Sequence, residues 1–135
     1  MSIEAQTDAF VALEAADFGY GAEAIVDGVD WAIPRGAFHC LVGRSGSGKT
    51  TLLKLAAGLL APRRGLVRIE GVALDGPGPR IGFVFQQPTL LDWLTVLDNV
   101  LLPLSLKRSV GEADRQTARA LLDRVDLSAF AARHP

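Results

Sequence analysis

Residues 38–60, FHCLVGRSGSGKTTLLKLAAGLL, constrain the fold more than any other part of the chain. They contain the pattern G-x-x-x-x-G-K-[ST], preceded by a short apolar run and followed by apolar residues at helical spacing. The pattern predicts a strand, a tight loop and a helix that starts at about Lys49. Glycines let successive backbone N–H groups converge on one anion, and the helix start adds its positive dipole end. We therefore predict a phosphate-binding loop (P-loop) in an α/β fold.

Each position of this loop has a predicted role. Lys49 adds a positive charge near the β and γ phosphates, and the Thr50 hydroxyl is placed to ligate Mg2+. Thr51 is placed to donate a further hydrogen bond. The backbone N–H groups that cradle the phosphates come from Gly43, Arg44, Ser45, Gly46, Ser47 and Gly48. The alternative is a Gly/Ser loop in an unrelated fold, and the apolar strand and helix signals on either side favour the P-loop.

Charge argues against nucleic acid as the main partner, because fourteen basic and fifteen acidic residues leave a net charge of −1. The charges are unevenly distributed. Residues 1–34 contain seven acids and no Lys or Arg, so residues 35–135 carry fourteen bases and eight acids. A positive P-loop segment favours the approach of an anionic nucleotide, although ordinary surface charge is an alternative explanation.

The single cysteine, Cys40, excludes a disulfide within the chain, fits a reducing compartment and is expected as a small buried residue of the P-loop strand. The N-terminus lacks the basic and apolar regions of a signal peptide. No apolar stretch approaches the roughly 20 residues needed to cross a bilayer. A hydrophobic content of 49% is nevertheless high for a stand-alone soluble domain, which indicates a covered surface or a missing partner segment. We predict a soluble or membrane-peripheral protein.

The remaining elements follow from local patterns. Strands are predicted at residues 9–16, 24–33, 65–70 and 80–85, the first two joined by a turn containing Gly19 and Gly21. Helices are predicted at 95–106, kinked or capped around Pro103, and after Ser109. Ser109 and Glu112 have capping-box spacing. The predicted buried face of this last helix consists of Ala118, Leu121, Leu122 and Val125.

The motif GRSGSGKTTLLKLAAGL followed by IGFVFQQPTLLDWLTVLDNV resembles the first half of an ATP-binding-cassette (ABC) ATPase. More narrowly, it is similar to the ATPase subunits of bacterial importers for nitrate, sulfonates and taurine. The resemblance covers the chain from about Phe10 to Pro135. It implies an antiparallel β-subdomain at residues 9–36, a P-loop core at 37–94 and the start of a helical subdomain at 95–135.

The resemblance also implies roles for residues outside the loop. Tyr20 matches the aromatic residue that stacks on adenine, although a tyrosine packed within a hairpin has the same sequence pattern. Gln86 matches the glutamine that reaches Mg2+ and the attacking water, and the adjacent Gln87 is the alternative. Leu90, Leu91 and Trp93 match a stretch that faces the membrane subunits, with core packing as the alternative.

Several family features lie beyond the matched region: the LSGGQ signature, a strand ending in Asp-Glu, and the switch histidine. We therefore expect a chain truncated before the helical signature motif, with unpaired apolar edges beside the P-loop strand. His134 comes too early to be that histidine. Asp98 ends the run LTVLD and imitates a metal-binding aspartate, but its place near a helix start favours a dipole partner.

The resemblance implies the ATP-binding and ATP-hydrolysing subunit of an ABC importer. Its cofactors would be ATP and Mg2+, and its partners a second ATPase subunit and transmembrane permease subunits. It would lie peripherally at the cytoplasmic face of the bacterial inner membrane. Because the water-polarising glutamate is not in these residues, we expect the chain alone to bind ATP without efficient hydrolysis. A small P-loop kinase and a nucleotide-binding module without turnover are the alternatives.

Overall fold

A computed structural model describes residues 9–77 and 81–135. The chain divides into two compact units, residues 1–83 and 84–135. The first contains an antiparallel sheet, the P-loop and the helix after it. The second is helical. Within the described residues, no helix is long and apolar enough to cross a membrane.

The sheet of the first unit has four strands in the order β2-β1-β3-β4, and every neighbouring pair is antiparallel. The strands are β1 Ala9–Tyr20, β2 Glu23–Pro34, β3 Arg64–Ile69 and β4 Val72–Ala73. The predicted N-terminal hairpin is confirmed, and its strands are longer than expected because the turn occupies only residues 21–22. The predicted strand at 65–70 is also confirmed, shifted by one residue.

The core of the first unit lies between the sheet and helix α1, Lys49–Ala56. Its buried side chains come from all three longer strands and from the helix: Leu13, Ala16, Val26, Val67 and Leu55. Leu13 and Leu55 are completely buried. The P-loop helix is therefore fixed to the antiparallel sheet through Leu55.

Two predicted strands do not form in the described residues. Residues 37–44 and 81–85 have no assigned strand, and Arg80, at the start of the second, lies outside the described residues. Phe38 and Val42 are 93% and 90% exposed, and Cys40, expected to be buried, is exposed as well. Apolar runs of this kind form strands when they pair with neighbours in a covered parallel sheet. Neither run belongs to the described four-stranded sheet, so both strand predictions are wrong within the described residues.

In the second unit, helices α2 (Val96–Ser105) and α3 (Glu112–Asp123) are followed by a short 3-10 helix, Ser128–Phe130. Their core consists of Leu97, Leu101, Ala118 and Leu122. The other two residues of the predicted buried face are exposed, Leu121 at 47% and Val125 at 60%. That part of the prediction is wrong, because α3 ends before Val125 and only the Ala118–Leu122 side of the helix faces α2. Pro103 lies inside α2, which continues to Ser105.

The N-terminus of α2 has a side-chain cap. The Thr95 hydroxyl oxygen accepts a hydrogen bond from the Asp98 backbone N–H at 3.1 Å and donates one to the Asp98 carboxylate at 2.6 Å. This arrangement satisfies a first-turn N–H group and places a negative charge at the positive end of the helix. The interpretation of Asp98 as a helix partner agrees with this geometry.

The N-terminus of α3 differs from the predicted capping box. Gly111, not Ser109, is the N-cap residue, and the Asp114 carboxylate accepts from its backbone N–H at 2.9 Å. Arg108 donates two hydrogen bonds to the same carboxylate, at 2.6 and 2.7 Å. These bonds from Arg108, and then the Gly111 N–H, lower the pKa of Asp114 to about 2. The predicted start is too early because it relied on the Ser109–Glu112 spacing, whereas Asp114, held by Arg108, caps the helix at Gly111.

The C-terminal residues of the second unit are hydrogen-bonded to the start of α2. The backbone N–H of Val96 donates to the Arg133 carbonyl at 2.8 Å, and that of Leu97 donates to the Ala131 carbonyl at 2.9 Å. First-turn N–H groups of a helix have no acceptor within the helix. Residues 131–133 therefore supply acceptors for the first turn of α2.

Candidate nucleotide-binding site

The predicted P-loop lies between the extended segment 37–42 and helix α1. Ser47 N–H donates to the Arg44 carbonyl at 3.3 Å, which closes a turn, and Leu52 N–H donates to the Gly48 carbonyl at 2.8 Å. Helix α1 begins at Lys49, as predicted, with Gly48 as its N-cap residue and no side-chain cap bond. The N–H groups of Lys49, Thr50 and Thr51 belong to the first turn, whose amides lack acceptors within the helix. The loop therefore presents N–H groups and a positive helix end to the same space.

Two separate observations favour glycine at position 48. Its φ of +83° lies in the left-handed region that other residues adopt only with strain. A Cβ added there would also lie 3.0 Å from Ile25 Cγ2 and 3.1 Å from the Ile25 carbonyl oxygen. Gly46 has a similar φ of +77°, but a Cβ added there would meet no atom within 4 Å in the part of the chain that the structure describes. Gly48 is thus packed against strand β2, whereas Gly46 faces open space.

The Lys49 ammonium is held by the loop itself. Its Nζ donates to the Gly43 carbonyl at 2.9 Å and to the Arg44 carbonyl at 2.5 Å, and Ser47 Oγ lies 3.4 Å away. An ammonium has three donors and no acceptor. These contacts keep a full positive charge at the loop, where an anion would meet it.

A cavity of about 180 Å³ lies over the start of α1. It is lined by Ile25, Gly46, Ser47, Gly48, Lys49, Thr50 and Thr51. Among the described lining residues, Ile25 is the one from outside the loop and helix, and it was not predicted from the sequence. Nothing in the local pattern of β2 distinguishes Ile25 from the other apolar residues of that strand, because its contact with Gly48 arises only in the folded chain.

The loop residues fit Mg2+ as a partner of bound phosphates. Within the described residues, no group of three or more His, Cys, Asp or Glu side chains could hold a metal ion alone. Mg2+ keeps several waters and often takes its remaining ligands from substrate phosphates, and the exposed position of Thr50 is compatible with one hydroxyl ligand from the loop.

Tyr20 lies at the end of β1, beside the hairpin turn, and is 60% exposed. Its ring meets the edge of Phe18, with centroids 5.2 Å apart and planes at 88°. Tyr20 is not among the described residues that line the P-loop cavity. Both of its predicted roles, stacking on adenine and packing within the hairpin, are compatible with an exposed ring that already has an aromatic neighbour.

Gln86 and Gln87 both lie in an exposed bend at the start of the second unit. The expected strand does not reach them, so strand alternation does not distinguish their side chains. The P-loop belongs to the first unit. The assignment of Gln86 to Mg2+ and the attacking water therefore stays a prediction.

The segment after Gln86 exposes apolar side chains. Trp93 is 73% exposed and Leu90 is 53% exposed, whereas Leu91 is partly buried. Core packing is therefore the wrong explanation for Leu90 and Trp93. The segment is nevertheless ordered by Asn99, whose side chain bonds the N–H of Leu91 at 2.8 Å and its carbonyl at 3.1 Å.

The loop, its helix and the packed sheet define a P-loop nucleotide-binding protein, and comparison with known proteins gives the family. The family profile described as ABC transporter matches residues 26–135. The chain belongs to the ABC transporter family. Its fold is an α/β P-loop NTPase core with an antiparallel β-subdomain, as predicted from the sequence.

Three curated relatives are ATP-binding proteins of importers. An aliphatic sulfonates import protein, SsuB 2 of Burkholderia lata, is 44% identical over 86% of this chain and 41% of its own length. A taurine import protein, TauB of Sinorhizobium fredii, is 43% identical over 78% of this chain and 40% of its own. The nitrate import protein NrtD of Synechocystis is 39% identical, over 85% and 43% respectively. This chain thus spans about two fifths of the length of these relatives.

A solved structure has the same fold. It is a dimeric post-hydrolysis state of the ATP-binding cassette MJ0796 bound to ADP and Pi. It matches with a TM-score of 0.79 and 33% sequence identity, over 93% of this chain and 61% of that one.

Proposed function

We propose that this protein is the ATP-binding and ATP-hydrolysing subunit of an ABC importer. The observation that carries the proposal is the P-loop geometry: Lys49 is held at the loop while the N-terminus of α1 opens onto an adjoining cavity. Backbone N–H groups, a helix dipole and an ammonium together form a site for a triphosphate rather than for a neutral ligand. The importer names of the curated relatives support the physiological context.

In this proposal the loop residues 43–48 cradle the phosphates, Lys49 contacts the β and γ phosphates, and Thr50 is a ligand of Mg2+. Tyr20 stacks on adenine, and Gln86 reaches Mg2+ and the attacking water. Phosphoryl transfer needs positioning and charge stabilisation more than covalent chemistry, and the loop supplies part of both. Residues 9–36, 37–94 and 95–135 act as β-subdomain, P-loop core and start of the helical subdomain.

The proposed assembly contains two ATPase subunits and transmembrane permease subunits, with the ATPases peripheral to the cytoplasmic face of the bacterial inner membrane. The dimeric state of the related cassette supports a dimer. The solute is an aliphatic sulfonate, taurine or nitrate. Disruption of the gene, followed by uptake measurements with each labelled solute, tests this assignment. Undiminished uptake of all three would contradict it.

The nucleotide site itself is tested by Lys49→Ala. Removing a charged donor from a phosphate contact costs roughly 1.5–3 kcal/mol, which corresponds to a loss of affinity for Mg-ATP of about ten- to hundredfold. Lys54→Ala is the matched control, because Lys54 is a lysine of the same helix but does not line the cavity. Equilibrium dialysis on folded protein measures both. Equal affinity of Lys49→Ala and wild type would refute the proposed site.

A further inference from the structure

Ile25 of strand β2 lies beside the P-loop. Ile25 lines the P-loop cavity, and a Cβ added at Gly48 would lie only 3.0 Å from its Cγ2 methyl and 3.1 Å from its carbonyl oxygen. On its other side, Ile25 packs against the buried core cluster of the sheet and α1. Ile25 therefore connects the core of the antiparallel sheet to the residue at which the loop becomes helix.

Gly48 joins the loop to helix α1 as its N-cap residue. It precedes the first-turn N–H groups of α1, and its carbonyl accepts the first helical hydrogen bond, from Leu52. Gly48 has a left-handed φ, and because glycine has no Cβ its backbone can also adopt other conformations. A fixed atom behind Gly48 restricts that freedom and fixes the direction of the N–H groups.

We infer that Ile25 is a positioning residue of the phosphate site, acting through its Cγ2 methyl on Gly48. The inference rests on the proposed nucleotide-binding function and adds that the antiparallel sheet determines the affinity of the loop for phosphate. Ile25 itself does not bind the phosphates. Its contribution is to hold the loop in the conformation that does.

Two conservative substitutions separate this role from ordinary apolar packing. Ile25→Val keeps both γ positions and loses only Cδ1, whereas Ile25→Leu keeps the number of carbons and loses the branched γ methyl. If the Cγ2 contact matters, Leu weakens phosphate binding more than Val does. If only buried volume matters, Leu is tolerated better, because swaps that conserve volume usually cost little.

The ligand probes are Mg-ATP and inorganic tripolyphosphate with Mg2+, each titrated calorimetrically into the full chain. We expect Ile25→Leu to weaken both ligands by the same factor, about five- to tenfold. The control is Ile33→Leu, the same substitution in the same strand at a residue that does not line the cavity, and it leaves both affinities unchanged. Urea denaturation reports any loss of stability separately.

Several outcomes would overturn the inference. One is wild-type affinity of Ile25→Leu for both ligands, and another is a loss no larger than that of Ile25→Val. Weakened ATP binding with undiminished tripolyphosphate binding would show that Ile25 contacts the nucleoside instead. If the wild-type chain binds neither ligand, the proposed function falls as well, so the two failures are distinguishable.

A second pair of variants covers the case in which Ile25→Leu does not fold. Ile25→Thr and Ile25→Ser differ only in the Cγ2 methyl. We expect the Thr variant to bind tripolyphosphate several-fold more tightly than the Ser variant. Equal affinity of the two would overturn the inference.

Discussion

Substitution of Gly48 by alanine separates the two reasons for glycine at the end of the P-loop. Gly48 and Gly36 have similar positive φ values, +83° and +73°. A Cβ at Gly36 meets no atom of the described residues within 4 Å, whereas one at Gly48 meets Ile25 at 3.0 and 3.1 Å. Gly36→Ala therefore measures the cost of the backbone conformation alone. Gly48→Ala measures that cost together with the close contact.

The magnitudes follow from these two terms. A left-handed conformation costs a residue with a Cβ about 1–2 kcal/mol. Crowding in a packed region adds about 1–3 kcal/mol, and the neighbours of a Cβ at Gly48 include the Ile25 backbone carbonyl, which yields less readily than a side chain. We expect the free energy of unfolding to fall by about 1–2 kcal/mol in Gly36→Ala and by about 2–5 kcal/mol in Gly48→Ala. The reduced entropy of the unfolded chain lowers both of these values by the same amount, about 0.4–1 kcal/mol, and leaves the difference between the two variants unchanged.

The assay is urea denaturation of the nucleotide-free chain, monitored by circular dichroism. Gly46→Ala provides an internal control within the loop, because its φ is +77° and its Cβ would face open space. It should resemble Gly36→Ala in stability. Equal stabilities of Gly48→Ala and Gly36→Ala would refute the claim that Ile25 packs against Gly48.

Three further predictions concern other parts of the chain. Since the pKa of Asp114 is lowered from 3.8 to about 2, its carboxylate stabilises the fold above that interval and loses this effect as pH falls through it. The urea midpoint of wild type should therefore fall more steeply than that of Asp114→Asn between pH 4 and pH 2, and parallel curves would contradict this. In equilibrium dialysis, Tyr20→Ala should bind ATP more weakly than wild type, whereas Tyr20→Trp should bind it equally well, because a larger ring still stacks on adenine. Unchanged ATP affinity in both variants would mean that Tyr20 only packs within the hairpin. The chain alone should release phosphate from Mg-ATP no faster than its Lys49→Ala variant, and a rate that this substitution abolishes would refute the expectation.

The parts of the fold that depend on local sequence were predicted well. The N-terminal hairpin and the start of α1 follow from turn residues and from the loop pattern. The start of α2 follows from Thr95, whose cap uses a residue three positions away. In these cases the partners are close in sequence, so their spacing contains the information.

The parts that depend on distant partners were not predicted. Residues 38–42 have the composition of a buried strand, yet a strand also needs a hydrogen-bonded neighbour, and composition does not identify one. Asp114 caps α3 with the help of Arg108, which lies outside the usual cap spacing. Ile25 enters the candidate site only because the hairpin folds against Gly48. The loop residues could be named from sequence, but the residue behind them could not.

The hydrogen bonds from Val96 and Leu97 to the far end of the helical unit make these two amides reporters of its cooperativity. Their acceptors come from residues 131–133, so both amides are shielded only when α2, α3 and the returning segment have assembled together. Amides in the middle of α3 need only their own helix. In native-state hydrogen exchange, Val96 and Leu97 should therefore exchange with the free energy of opening the whole unit, although they lie in the first turn of a helix, where fraying is usual.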